Sequence, residues 1–222
     1  FWKYIMKEFE KRILSSLILI PISLFFIIKG SLFFLFFLGI FFYATSYEWF
    51  KMNKDNVFKI IGIIYLFIVV YSAYFLRENF GIKIFIFIII ICIFTDIGGY
   101  IFGKLFKGPK LIKISPNKTY AGMIGGFILS MIAGFIYNEN IAIYIYQLKN
   151  LDFLYQIENS KLLLIILLIS AVSQIGDLII SYFKRLAKVK DTGKLLPGHG
   201  GLLDRVDGII FAVPISYLIL IL

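Results

Sequence analysis

Residues 13–47 read ILSSLILIPISLFFIIKGSLFFLFFLGIFFYATSY and contain one charged residue, Lys29. The uncharged runs on either side of it, Ile13–Ile28 and Ser31–Tyr47, approach the ~20 apolar residues that carry a helix across a bilayer. Lys29-Gly30 leaves room between them for only a tight hairpin turn. The rest of the chain follows suit. Of 222 residues, 60% are hydrophobic and 16% charged, against about 45–50% and about 25% in an ordinary soluble domain. Mean hydropathy is +0.92. A water-soluble domain of this length cannot hide so much apolar surface, so the expected class is all-α, a polytopic integral membrane protein.

Seven spans are predicted: Ile13–Ile28, Ser31–Tyr47, Val57–Leu76, Ile82–Phe102, Tyr120–Tyr137, Leu162–Phe183 and Gly208–Leu222. No small-residue cleavage site follows Ile13–Ile28, which therefore reads as a span and not as a signal peptide. With no internal repeat and no low-complexity linker, residues 1–222 read as one membrane domain. Within it, 1–80 form N-terminal spans and 81–222 carry the polar motifs. Segments 1–12, 48–59, 103–119 and 181–207 hold 18 of the 23 Lys and Arg residues and alternate with segments that are poor in them. By the positive-inside bias, the N-terminus and the two long basic segments are cytoplasmic. The net charge of +10 then points to loops facing anionic lipid, not to nucleic acid. A single Cys (Cys92) and a single His (His199) exclude a disulfide framework, a Cys-based zinc site and a multi-histidine metal centre.

An ionisable residue inside a span costs about 2.5–3.5 kcal/mol on insertion scales and normally has a task. Asp96, in Thr95-Asp96-Ile97-Gly98-Gly99-Tyr100, and Asp177, in Ser173-Gln174-Ile175-Gly176-Asp177, both qualify. Ser170, Ser173, Asp177, Ser181 and Lys184 follow at spacings of three and four, so one polar stripe runs down an apolar helix. Inter-helix hydrogen bonding accounts for the serines, whereas a carboxylate in lipid needs a cation, a proton or water. Gly98, Gly99, Gly103, Gly122, Gly125 and Gly126 read first as small residues that let helices approach closely.

The segment Gly103–Thr119 has five lysines and no acid. In Ser115-Pro116-Asn117-Lys118-Thr119, Pro116 is read as a turn residue. Lys118 and the free N–H groups of the following helix suit a phosphate. The segment Ser181–Asp207, SYFKRLAKVKDTGKLLPGHGGLLDRVD, mixes six basic residues with three aspartates and the only His. Gly198, Gly200 and Gly201 allow positive φ or close approach to a ligand. Asp204 and Asp207, three apart, would share a face if the last span begins there. Such oxygen donors suit Mg²⁺, typically held by one or two carboxylates plus substrate phosphates. These residue types describe metal-assisted chemistry on a phosphorylated substrate.

Ser181–Asp207 resembles the signature of the phosphatidate cytidylyltransferase (CDP-diacylglycerol synthase) family. It matches in Ser-x-Phe-Lys-Arg, in Lys190-Asp191-x-Gly193 and in Leu196-Pro197-x-His199-Gly200-Gly201-Leu202-x-Asp204-Arg205-Val206-Asp207. Ser173-Gln174-x-Gly176-Asp177, Asp96-x-Gly98 with Tyr100 and Gly103, and Ser115-Pro116-x-Lys118-Thr119 fit as well, so the resemblance covers about residues 90–222. It departs at Gly99 (often Ala), at Ala121 (often acidic) and at Gly208 (commonly Ser).

The resemblance implies a Mg²⁺-dependent nucleotidyltransferase of phospholipid biosynthesis, turning CTP and phosphatidate into CDP-diacylglycerol and diphosphate. A monovalent cation such as K⁺ is a further implied cofactor, and a homodimer is compatible with it. By the same resemblance Asp177 and Asp204 hold the metal with help from Asp207. Lys184, Arg185, Lys190, His199 and Arg205 surround the phosphates. Ser115, Lys118 and Thr119 contact phosphate from the other loop. Ser173, Gln174, Ser181, Gly200 and Gly201 line the substrate site. Asp96 either supports the metal or orients a lysine. The site would face the cytoplasm from the cell membrane. Two rivals stand beside this reading. One is a cytidylyltransferase for another lipid phosphate, such as an archaeal ether lipid. The other is a cation or proton transporter using Asp96 and Asp177 as relays, which leaves the Pro-Gly-His-Gly-Gly loop unexplained.

Overall fold

The computed structural model describes residues 8–112, 115–148, 158–198 and 200–221. His199 and the C-terminal end of the last predicted span, Leu222, lie outside them. The elements in order are α1 (Glu8–Lys29), α2 (Ser31–Met52), α3 (Asn56–Phe106), β1 (Lys110–Ile112), β2 (Ser115–Thr119), α4 (Tyr120–Leu148), α5 (Asn159–Leu186), α6 (Leu203–Val206) and α7 (Ile209–Ile221). Helices dominate because lipid offers the backbone no water, and every N–H and C=O in the hydrocarbon must find its partner within the chain.

The chain is an all-α, polytopic integral membrane protein with a small hairpin. Four described helices are long and apolar enough to cross a membrane: Ser31–Met52, Asn56–Phe106, Tyr120–Glu139 and Asn159–Leu186. Ile13–Lys29 and Ile209–Ile221 are shorter apolar helices. At 1.5 Å per residue the 51 residues of α3 would run ~76 Å, well over twice the ~30 Å of hydrocarbon. Gly81 (φ 85°, ψ 167°) breaks it, and the predicted spans Val57–Leu76 and Ile82–Phe102 fall on either side of that break.

The chain forms two compact units. One comprises residues 1–74 and 183–206. In it α1 and α2 form the hairpin expected at Lys29-Gly30, with Gly30 at φ 65° and Phe26 stacked on Phe37 at 5.5 Å. Lysines at helix ends lay their ammonium groups over aromatic rings, Lys29 on Phe25 and Lys51 on Tyr47, a way of reaching water while covering apolar surface. The buried Trp49 donates its indole N–H to the Phe58 carbonyl (2.8 Å) and meets Phe183 edge-on with centroids 4.8 Å apart. Gly62 makes this possible, since a Cβ there would lie inside the indole.

The second unit comprises residues 75–182 and 207–222. Phe87, Ile88, Ile91, Leu162, Ile166, Ile169 and Ile210 form its core. Association in lipid depends on close packing and hydrogen bonds, because lipid tails are as apolar as leucine. The glycines act as their spacing foretold. A Cβ at Gly98 would strike the Gly125 carbonyl, and one at Gly122 would come 2.7 Å from the Gly99 oxygen. Thr95 bridges the polar stripe of α5 by donating to Ser170 Oγ at 2.8 Å. Gly208, where the family commonly has Ser, lies against Ser173, whose hydroxyl takes the space of a Cβ.

Two expectations change. The basic segment before α4 is not simply a loop but an antiparallel hairpin, pairing Lys110 with Thr119 and Ile112 with Ser115 across an irregular register. Pro116 accordingly sits in β2 and not at a turn, a position open to proline because a two-stranded sheet has only edges. Asp204 and Asp207 do not share a continuous helix either. α6 ends at Val206 and α7 starts at Ile209, with a turn between them.

Gly62→Ala should drive a methyl group into the Trp49 ring and destabilise the protein by about 1–3 kcal/mol. The change is read as a lower melting temperature with altered tryptophan emission. Gly39→Ala, which meets nothing within 4 Å, should leave both unchanged.

Candidate active site

In the first unit the Lys-Asp-x-Gly and Gly-Gly motifs fold around one carboxylate. α5 ends in Lys184-Arg185-Leu186, the chain turns through residues 187–202, and the short α6 carries Asp204. Gly198 and Gly200 take positive φ (75° and 88°), which lets Leu196 and Gly200 pair with each other. The loop's donors converge on Asp204. Its Oδ2 accepts from the Thr192 backbone N–H (2.8 Å), the Thr192 hydroxyl (3.0 Å) and the Gly201 N–H (3.0 Å). Its Oδ1 accepts the Lys184 ammonium at 2.8 Å. The Asp204 side chain is only 6% exposed. Burial pushes its carboxyl up, but the Lys184 ammonium and the N–H groups of Thr192 and Gly201 outweigh that and hold it below the ordinary carboxylate value.

Beneath this loop lies a residue that the sequence reading passed over. Glu48 of α2 is 1% exposed. It accepts the Leu202 N–H on Oε1 (2.9 Å), and the Leu203 N–H (2.9 Å) and Thr192 hydroxyl (3.1 Å) on Oε2. A Cβ at Gly193 or Gly201 would collide with this carboxylate, and one at Gly201 also with the Thr192 hydroxyl. The space that Gly201 leaves is thus filled by the protein itself. The available signal was an acid directly after an uncharged run of 17 residues, Ser31–Tyr47.

In the second unit Lys118 of β2 forms an ion pair with Asp177 of α5. Ser181 donates to the other Asp177 oxygen at 3.4 Å. Asp96 of α3 is exposed and lies within electrostatic range of both Asp177 and Lys118. Two carboxylates from different helices therefore face one ammonium group. Thr119 caps α4, its hydroxyl oxygen accepting the Gly122 N–H at 3.1 Å, and Ser115 pairs with Ile112 in the hairpin. Gln174 donates to the Met123 carbonyl at 3.4 Å, and Ser173 is fully buried. Asp207 accepts the Gly208 N–H at 3.0 Å. Arg185, Lys190 and Arg205 are exposed.

These donors fit a hard cation. Among the described residues they are carboxylate oxygens, and one oxygen of Asp177 and one of Asp204 hold an ammonium. Among the described residues no three His, Cys, Asp or Glu side chains cluster as a ready cage. Mg²⁺ does not require one, since it commonly takes one or two carboxylates and completes its shell with water and substrate phosphates.

Comparison with known proteins agrees with this chemistry. Residues 53–222, most of the chain, match the family model described as "Cytidylyltransferase family". The chain belongs to that family. A phosphatidate cytidylyltransferase of Rickettsia felis is 32% identical over 219 residues, covering 95% of this chain and 92% of that protein. One from Staphylococcus saprophyticus is 36% identical over 189 residues, covering 81% of this chain and 66% of its own. One from Brucella suis is 39% identical over 142 residues, 64% and 48% respectively. The match thus spans about two thirds of the staphylococcal relative and half of the Brucella one.

The lowered Asp204 carboxyl makes a test. A depressed folded-state value stabilises the loop above the ordinary Asp value of about 3.9, and this stability is lost as pH falls through the lower folded value. In Lys184→Met the folded value should rise. Amide-exchange protection over residues 188–203, corrected for intrinsic rates, should then collapse at a higher pH than in wild type.

Proposed function

We propose that this chain is a phosphatidate cytidylyltransferase, transferring the cytidylyl group of CTP to phosphatidate with release of diphosphate. The reading is carried by the clamped Asp204–Lys184 pair, built by the same residues that make up the family signature. The relatives' names support it. A phosphate oxygen of the lipid attacks the α-phosphorus of CTP. As that bond forms, the bond from the α-phosphorus to the bridging oxygen breaks, and diphosphate departs with the electron pair. Such a transfer needs positioning and neutralisation of charge more than covalent help.

The acids divide from the bases accordingly. Asp177, Asp204 and Asp207 are assigned to the divalent cation, Mg²⁺, with K⁺ as a companion monovalent cation. The metal supplies neutralisation of the phosphate oxygens. Lys118 and Lys184 pair with Asp177 and Asp204, and they are assigned to substrate phosphate along with Arg185, Lys190, His199 and Arg205. Ser115, Thr119, Ser173, Gln174, Ser181, Gly200 and Gly201 complete the substrate-binding set. Asp96 is assigned to orienting Lys118. Since these motifs run from Asp96 to Asp207, the catalytic part is placed in 81–222 of a single membrane domain. The site is placed on the cytoplasmic side of the cell membrane, where the basic segments collect and CTP is available. The homodimer belongs to the same reading, on family likeness alone.

Membranes expressing the chain, given labelled CTP, phosphatidate and Mg²⁺, should place label in the lipid extract. EDTA should abolish this, and Asp204→Ala should reduce it by about 10³-fold or more, the scale of losing a charge-stabilising group. Lys118→Met should raise KM for CTP. Label that appears only with an ether-lipid phosphate would reassign the substrate. No label with any lipid phosphate from folded protein would overturn the reading.

A further inference from the structure

Glu48 is a fully buried carboxylate with no task in the transfer as described, and it lies ahead of the residues that match the family model. An apolar side chain would pack α2 against the loop more cheaply, because burying an ionisable group costs free energy unless it is richly hydrogen-bonded. Glu48 is so bonded, and all its bonds go to one place. The Leu202 and Leu203 N–H groups and the Thr192 hydroxyl reach it at 2.9–3.1 Å. Leu202 and Leu203 immediately precede Asp204, and the Thr192 hydroxyl also lies 3.0 Å from Asp204 Oδ2. The Thr192 hydroxyl thus lies between the two carboxylates and shares its single proton with them.

The bridge acts on one side of Asp204. Among the described residues, Oδ2 takes two loop N–H groups and shares the Thr192 hydroxyl with Glu48, whereas Oδ1 takes the Lys184 ammonium. One oxygen is anchored by the loop and the other holds the Lys184 ammonium. Gly193 and Gly201 are shaped around this arrangement, since a Cβ at either would strike the Glu48 carboxylate. Local packing alone gives no reason for two glycines and an acid to be fitted so closely.

We propose that Glu48 is a positioning residue for Asp204. Through Thr192 and the 202–203 amides it fixes Oδ2, so that Oδ1 is presented to a divalent cation in a set direction. This rests on the reading in which Asp204 binds that cation. Supporting groups behind metal ligands typically contribute 10–100-fold in metal affinity. A glutamine cannot substitute, because its NH₂ end would face one of the two backbone N–H groups whichever way it is turned.

The test is Mn²⁺ binding to the purified full chain in detergent, followed by electron paramagnetic resonance with and without CTP. Thermal unfolding of the metal-free protein is measured in parallel. Glu48→Gln should weaken Mn²⁺ binding by about 10–100-fold and lower kcat more than it raises KM for phosphatidate. Should that variant fail to fold, Thr192→Val carries the test. It removes the bridging hydroxyl at nearly constant volume and should show the same loss of Mn²⁺ affinity, and Thr192→Ser should restore it. A folded Glu48→Gln or Thr192→Val protein that binds Mn²⁺ as wild type does would overturn the proposal and leave Glu48 a structural staple. Wild-type protein that binds no Mn²⁺ even with CTP would overturn the underlying metal reading and this proposal with it.

Discussion

Every backbone amide that this chain carries into the hydrocarbon must be satisfied by the chain itself, because lipid tails supply neither donors nor acceptors. That requirement produces the helices, and it also governs the parts that are not helical. Between α5 and α6 some amides pair with backbone, as those of Leu196 and Gly200 do with each other, and side chains take others. Asp204 takes the amides of Thr192 and Gly201, and Glu48 takes those of Leu202 and Leu203. Leaving any one of them unpaired would cost about 1–3 kcal/mol. Two carboxylates thus hold these four amides where no repeating pattern does.

A related constraint explains the pairing of acids with lysines. Lys118 on Asp177 and Lys184 on Asp204 are partly buried pairs, and removing one partner leaves the other's charge uncompensated, at a cost that grows with burial. Each pair keeps a carboxylate and an ammonium neutralised in place. On the proposed reading these carboxylates would hold a divalent cation and these ammonium groups would hold phosphate, so that each charge would keep a partner.

Much of this was legible in the sequence, for reasons that differ by residue. The spans were legible because hydropathy is local. Ser31–Tyr47 needs no knowledge of its neighbours, and Gly98 and Gly125 show their role by being small within apolar runs. Asp177 and Asp204 stood out by chemical incongruity and by the density of the signature. The hairpin Lys110–Thr119 was not legible, because its stability comes from cross-strand pairing, and lysine and proline are poor strand formers. The break that leaves Asp204 in α6 and Asp207 in the turn before α7 was not legible either, and the fit of the neighbouring Gly208 against Ser173 is a tertiary fact. Glu48 was missed because its partners are 144 to 155 residues away in the chain. Nothing near it announces a loop that folds back upon it.

The mould formed by Gly193 and Gly201 around Glu48 has a consequence for how such a chain can change over generations. The three positions are not independent. While the acid is present, any side chain at 193 or 201 is excluded. Once the acid shrinks to alanine, the exclusion at 193 lapses, whereas 201 stays closed by the Thr192 hydroxyl and the Gly193 backbone nitrogen. A lineage leaving this arrangement must first lose the acid and only then gain bulk at 193, and that gain afterwards closes the way back. The order of these two steps is thus dictated by the shape of one carboxylate, which makes the pair a ratchet in sequence space.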